Sequence, residues 1–187
     1  MKKAEKIVRK RKMEVSRIFL IGPMGCGKTW WGQRLASLMG WQFIDLDFFI
    51  EDTYQMSIPD IFGKYGEECF RQMEYDSLQK VASLDKVVVA TGGGTPCFFD
   101  NMKKMNTWGE TCYLRVSVPV LVQRLADNTS GRPLLQGKSR HELADFLARQ
   151  LKEREKYYLK ATHVVDEELL DEQQLLGLFV TTSTYER

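Results

Sequence analysis

The sequence predicts an α/β protein in three layers, a five-stranded parallel sheet flanked by helices on both faces. Three features carry that reading: five short apolar runs, helical patterns between them, and a glycine-rich turn after the first run. Strands buried on both faces read as near-continuous apolar segments. Parallel neighbours also need a crossover long enough to hold a helix.

The elements follow in order. Residues 17–22 (RIFLIG) form the first strand and residues 28–39 the helix after it. Residues 41–45 (WQFID) give a second strand. Ser57 opens a helix with Asp60 in capping-box position, and the helical pattern resumes over 67–83. Residues 86–90, 111–116 and 163–165 are the remaining strands, and 98–105, 119–126 and 169–180 are helical. Ser139 and Glu142 form a capping box at the start of a further helix. Residues 127–138 (DNTSGRPLLQGK) have no clear period, and a loop of that length in a small domain reads as functional or disordered.

Length and composition bound the rest. The 187 residues, 43% of them hydrophobic, suffice for one domain with one core, expected over 13–187. Residues 1–12 hold seven basic side chains against Glu5 and read as a disordered extension; the remainder carries 20 basic and 24 acidic residues. A mildly acidic domain argues against a broad nucleic-acid surface. Cys26, Cys69, Cys97 and Cys112 show no CxxC pair or zinc spacing, so reduced thiols in a cytoplasm are expected. No apolar run has the length of a membrane span, and residues 1–12 lack the apolar stretch of a secretion signal.

The segment Gly22-Pro-Met-Gly-Cys-Gly-Lys28-Thr29 fits GxxxxGK[ST] and lies between a strand and a helix, the context that a phosphate-binding loop (P-loop) requires. Glycines let backbone N–H groups wrap a phosphate, and the helix N-terminus adds positive potential. Lys28 supplies a point charge for the β- and γ-phosphates and Thr29 a hydroxyl for Mg2+. Trp30 and Trp31 read as core aromatics more readily than as base-stacking ones. No Asn-Lys-x-Asp motif marks a GTPase, and the chain has no room for the accessory domains of most motor ATPases. A small kinase remains.

Asp45 and Asp47 flank Leu46 at the carboxyl end of the second strand, where an extended chain places both carboxylates on one side. Ligands of open α/β sheets bind outside such strand ends, and phosphoryl transfer needs one carboxylate near the metal and another near the acceptor. Alternatively Asp47 caps the next segment. Gly92, Gly93 and Gly94 follow the third strand, either for close approach to a ligand or as a plain tight turn. Leu143, Leu147, Leu151, Arg154 and Tyr158 share one helical face, so Arg154 interrupts an apolar stripe and needs an anionic partner. Arg71 has Glu67 and Glu74 within a turn, which also suits an ordinary salt-bridged face.

Over residues 18–180 the sequence resembles the shikimate kinases, whose fold is a nucleoside-monophosphate-kinase-like P-loop sheet. The matching elements come in family order: GPMGCGKT, FIDLD, SIPDIFGKYGEECFRQME, VVVATGGG, SGRPLL and REKYY. The resemblance implies transfer of the ATP γ-phosphate to the 3-hydroxyl of shikimate, within chorismate and aromatic amino-acid synthesis. It implies that Gly25, Cys26, Gly27, Lys28, Thr29 and Trp30 cradle the phosphates, with Thr29 and Asp45 on a single Mg2+. Asp47 would bind and deprotonate or orient the acceptor hydroxyl, and Lys28 and Arg132 would complete the catalytic set. Arg71, Arg154 and the Gly92–Gly94 backbone would hold shikimate, with Glu74 fixing Arg71. Arg124 resembles an adenine-stacking arginine, and residues 127–138 a mobile lid carrying Arg132. Leu46 should point away from the ligand, and the segment after His163 lacks the basic residue that some members place near adenine. A monomer is expected, with ATP and shikimate as partners and neither nucleic acid nor membrane. Other readings are another small-metabolite kinase, such as a gluconate kinase, or a non-catalytic binding module of the same fold.

Overall fold

The computed structural model describes residues 15–126 and 137–180, and the apolar runs there become five parallel strands. In chain order the elements are β1 (Arg17–Ile21), α1 (Lys28–Met39), β2 (Gln42–Asp45), α2 (Leu46–Tyr54), α3 (Ile58–Ala82) and β3 (Val87–Ala90). Then come α4 (Asn101–Trp108), β4 (Glu110–Arg115), α5 (Val118–Ala126), α6 (Arg140–Tyr158), β5 (His163–Asp166) and α7 (Glu172–Phe179). The strand order is β2-β3-β1-β4-β5, every neighbouring pair parallel.

The central strand shows why three layers form. Ile18, Phe19, Leu20 and Ile21 are all fully buried, and their side chains alternate between the two faces. Ile18 and Leu20 join Trp31 and Leu35 of α1, Leu121 and Leu125 of α5, and Leu175 and Phe179 of α7. Phe19 and Ile21 join Ile50 of α2, Phe70 and Leu78 of α3, and Met102 and Met105 of α4. The crossovers from β1 and from its neighbour β3 therefore leave to opposite faces. Their carboxyl ends open a crevice at that switch point, the usual ligand position in such sheets.

Helix α6 connects both clusters. Leu143 and Leu147 pack with the first, while Leu151 and Tyr158 pack with the second. Its start is the expected capping box of Ser139 and Glu142. Arg154 is carried on that helix between Leu151 and Tyr158, two members of the second cluster.

Several expected boundaries shift, each for a local reason. Gly66, at φ 78° and ψ 174°, breaks α3 where the helical pattern was expected to resume. Residues 95–97 form a 3-10 turn, so α4 starts at Asn101 rather than at 98. A second 3-10 turn covers Glu167–Leu169, and α7 begins after Asp171, whose carboxylate makes a capping box with Gln174. The largest change is at 46–54, where a helix begins directly after β2. Asp47 thus lies in the first turn of α2, not on an extended chain. The capping residue is Asp45, whose carboxylate accepts the Asp47 N–H at 3.1 Å. Leu46 is fully buried and packs in the second cluster.

Candidate active site

The turn between β1 and α1 is shaped by glycines. Gly25 and Gly27 have φ of 80° and 87°, backbone that side chains with a Cβ rarely adopt. Gly27 is the N-cap of α1, with no side chain on the helix's first N–H groups and no acid in its first turn. Those amides and the helix dipole are left facing the loop, an arrangement suited to a phosphate. The Lys28 ammonium donates to the carbonyls of Gly22 at 2.8 Å and Pro23 at 2.7 Å, which holds its charge within the loop. Cys26 is fully buried beneath the loop, and burial raises its thiol above the ordinary value despite the nearby Lys28.

The Thr29 and Asp45 side chains meet. The Thr29 hydroxyl donates to Asp45 Oδ2 at 2.7 Å, bringing the end of β2 to the P-loop. Burial pushes the Asp47 carboxyl up to about 6, with Asp45 and Glu74 adding repulsion and Lys28 opposing them. That carboxyl is therefore poised closer to neutrality than an ordinary aspartate.

The Gly92–Gly94 turn is where the parts converge. A Cβ at Gly92 would stand 2.9 Å from Asp47 Oδ1 and 3.1 Å from Glu74 Oε1. One at Gly94 would meet the Arg71 guanidinium at 2.9 Å. One at Gly93 would lie 3.5 Å from the Gly22 carbonyl and Met24 N, and 3.7 Å from Arg154 Nη1. Close approach, rather than turn formation alone, accounts for Gly92 and Gly94, while the neighbours of Gly93 stand at ordinary contact distance. The P-loop, Asp47, Glu74 and both arginines thus surround one turn.

The two arginines are held differently. Arg71 donates to Glu74 at 2.8 Å and to Glu67 at 3.1 Å, and stacks over the Phe98 ring at 3.9 Å. The salt-bridged reading of Arg71 therefore holds, and the same guanidinium borders Gly94. Arg154 has no carboxylate partner among the described residues and touches the Tyr158 hydroxyl. A guanidinium so placed favours an external carboxylate.

Trp31 is buried, but Trp30 is 54% exposed and packs edge-on against Trp31, so only one of the pair belongs to the core. Arg124 donates to the Gly25 carbonyl at 3.3 Å and to Glu167 at 2.8 Å, at the outer edge of the P-loop. Arg132 and nearly all of the expected lid fall outside the described residues. Three contributors were not singled out in the sequence: Glu167, the Tyr158 hydroxyl and Thr95. Thr95 is fully buried and donates to Glu74 at 2.5 Å. Each acts through a contact distant in sequence, so no local pattern marks it.

A family model described as shikimate kinase matches residues 24–182 of the chain. The chain belongs to the shikimate kinase family. A shikimate kinase from Parabacteroides distasonis is 47% identical over 154 residues, 82% of this chain and 89% of that one. The crystal structure of the Bacteroides thetaiotaomicron shikimate kinase superposes with a TM-score of 0.81 at 42% identity, covering 86% of this chain and 92% of that one. The Acinetobacter baumannii shikimate kinase, solved in complex with shikimate, superposes at 0.76 with 34% identity, covering 88% and 89%. Membership agrees with the sheet: five parallel strands with a P-loop after the central one. No described helix is long and apolar enough to cross a membrane.

Proposed function

We propose that the protein transfers the γ-phosphoryl group of ATP to the 3-hydroxyl of shikimate, giving shikimate 3-phosphate and ADP. The observation that carries this is the Gly92–Gly94 turn, where an added Cβ would find Asp47, Arg71, Arg154 or the P-loop within 4 Å. It brings a phosphate donor site, a carboxylate and two carboxylate-binding cations together around one small acceptor. Family membership supplies the acceptor's identity.

In this reading Gly25–Gly27 and the start of α1, through Trp30, bind the ATP phosphates, and Lys28 neutralises charge on the transferring group. Arg71 and Arg154 hold the shikimate carboxylate, and the Gly92–Gly94 backbone lines the ring. Asp47 orients the 3-hydroxyl and accepts its proton as the oxygen attacks phosphorus. Arg124 lies against the nucleotide's outer end. Arg132 and the lid over 127–138 complete the proposal from family resemblance, closing over ATP and limiting its hydrolysis.

Thr29 and Asp45 present only oxygen donors and already lie 2.7 Å apart, a donor set that fits Mg2+ with phosphate oxygens as further ligands. When bound, the ion supplies neutralisation of phosphate charge. The protein is taken to act as a cytoplasmic monomer without a membrane partner, and the acidic balance of residues 13–187 argues against a nucleic-acid one.

The test is coupled ADP release with ATP and Mg2+, with and without shikimate, and with gluconate as control. Release that depends on shikimate and on Mg2+ is expected. Activation by gluconate alone overturns the substrate.

A further inference from the structure

The carboxylate of Glu167 is the least expected group near the P-loop. It projects from the 3-10 turn after β5 and is buried, with its side chain 8% exposed. One oxygen, Oε1, accepts the Trp31 indole N–H at 3.0 Å. The other, Oε2, accepts from Arg124 Nη2 at 2.8 Å. A Cβ at Gly27 would stand 3.1 Å from Oε1, so this carboxylate lies against the N-cap of α1. It occupies the positive end of a helix whose own first turn has no acid.

A buried negative charge there opposes phosphate binding unless a cation cancels it. Arg124 is that cation. Its Nη2 is engaged by Glu167 and its Nη1 reaches the Gly25 carbonyl, while its side chain stays 38% exposed. Two of its donors are thereby directed inward, fixing the guanidinium plane and leaving one face open at the nucleotide's outer end.

We propose that Glu167 is a positioning residue for ATP: it locks Arg124 against the P-loop. Arg124 in turn masks the Glu167 charge from the phosphates. The two residues form one unit, so the effect of losing either depends on the other. This rests on the ATP site described above.

The test is a double-mutant cycle read by titration with a fluorescent ATP analogue and by steady-state kinetics. Glu167→Gln keeps the shape and an acceptor for Trp31 while removing the charge. In the otherwise unchanged chain it should weaken ATP binding and raise the ATP KM by about threefold to tenfold, an unlocked arginine's worth. The shikimate KM and kcat should stay within about twofold, a split that general loosening does not give. Arg124→Ala should weaken ATP by about tenfold or more, because it leaves a buried charge at the P-loop. In that background Glu167→Gln should reverse its sign and strengthen ATP binding.

The same penalty in both backgrounds, or no penalty in either, overturns the proposal. Should thermal melting show that Glu167→Gln is unfolded, Glu167→Asp serves instead. It keeps the charge but is too short to reach Trp31 and Arg124 together, and an unchanged ATP affinity overturns the lock. The unsubstituted chain is assayed alongside: no shikimate-dependent ADP release would fail the functional reading, whereas the nucleotide titration judges the lock independently.

Discussion

The Tyr158 hydroxyl donates to the Gly93 carbonyl at 2.5 Å, joining the last turn of α6 to the turn after β3. Tyr158 is fully buried, and Arg154 stands one helical turn before it. The bond therefore sets how far Arg154 lies from the glycine turn. Tyr158→Phe should lower stability by about 1 kcal/mol and raise the shikimate KM more than the ATP KM. Equal changes in both constants would show that the bond serves stability alone.

Gly92 and Gly93 should answer alanine differently. At Gly93 the nearest atoms to a new Cβ are 3.5 Å away, ordinary contact, but they belong to the P-loop and Arg154 side of the crevice. Gly93→Ala should melt normally and raise the shikimate KM by about tenfold. Gly92→Ala meets Asp47 at 2.9 Å and Glu74 at 3.1 Å, so it should cost about 1–3 kcal/mol of stability and depress kcat. Melting curves and initial rates of the two variants check the contrast.

The arginines separate by stability. Arg71→Ala strands Glu74, which is 1% exposed, and should destabilise by about 3 kcal/mol as well as weaken shikimate binding. Arg154→Ala breaks no ion pair among the described residues and should weaken shikimate binding with little change in melting temperature. Unchanged shikimate affinity in Arg154→Ala would remove it from the substrate site.

Asp47→Asn removes the proton acceptor but keeps the side-chain volume. Turnover should fall by about a hundredfold to ten-thousandfold, with ATP affinity retained in equilibrium titration. Turnover within a few-fold of the unsubstituted chain would assign proton removal elsewhere.

The Cys97 thiol is pushed up to about 11 by burial, against the pull of Arg154 and Arg71. Only the thiolate alkylates, so labelling at Cys97 should rise about tenfold per pH unit from about pH 8 to pH 10. Peptide mapping by mass spectrometry follows it. A plateau below about pH 9 would mean that the arginines outweigh burial.

The phosphate half of the site was legible because its determinants are consecutive. Gly22 to Thr29 form one turn, so motif and flanking strand and helix sit together in the chain. The acceptor half was legible in composition but not in geometry. Asp45 and Asp47 were placed at the end of β2, yet α2 starts there and the period-two argument fails, since Asp45 spends one oxygen on capping. Trp30 and Trp31 shared one expectation and took different environments, because neighbours on a helix point about 100° apart.

Residue type and spacing alone settle the parallel sheet and the P-loop, because these depend on period and on short motifs, whereas the family is shown by the match over residues 24–182. Which charges pair is decided only by folding. Glu167 is 136 residues from Trp31 and 43 from Arg124, and it meets both because β5 ends two strands away from the β1–α1 turn. Glu74 likewise divides its oxygens between Arg71 on its own helix and Thr95 beyond β3. A buried carboxylate takes whatever donors the packing delivers, and the packing is a property of the whole sheet rather than of any window of sequence.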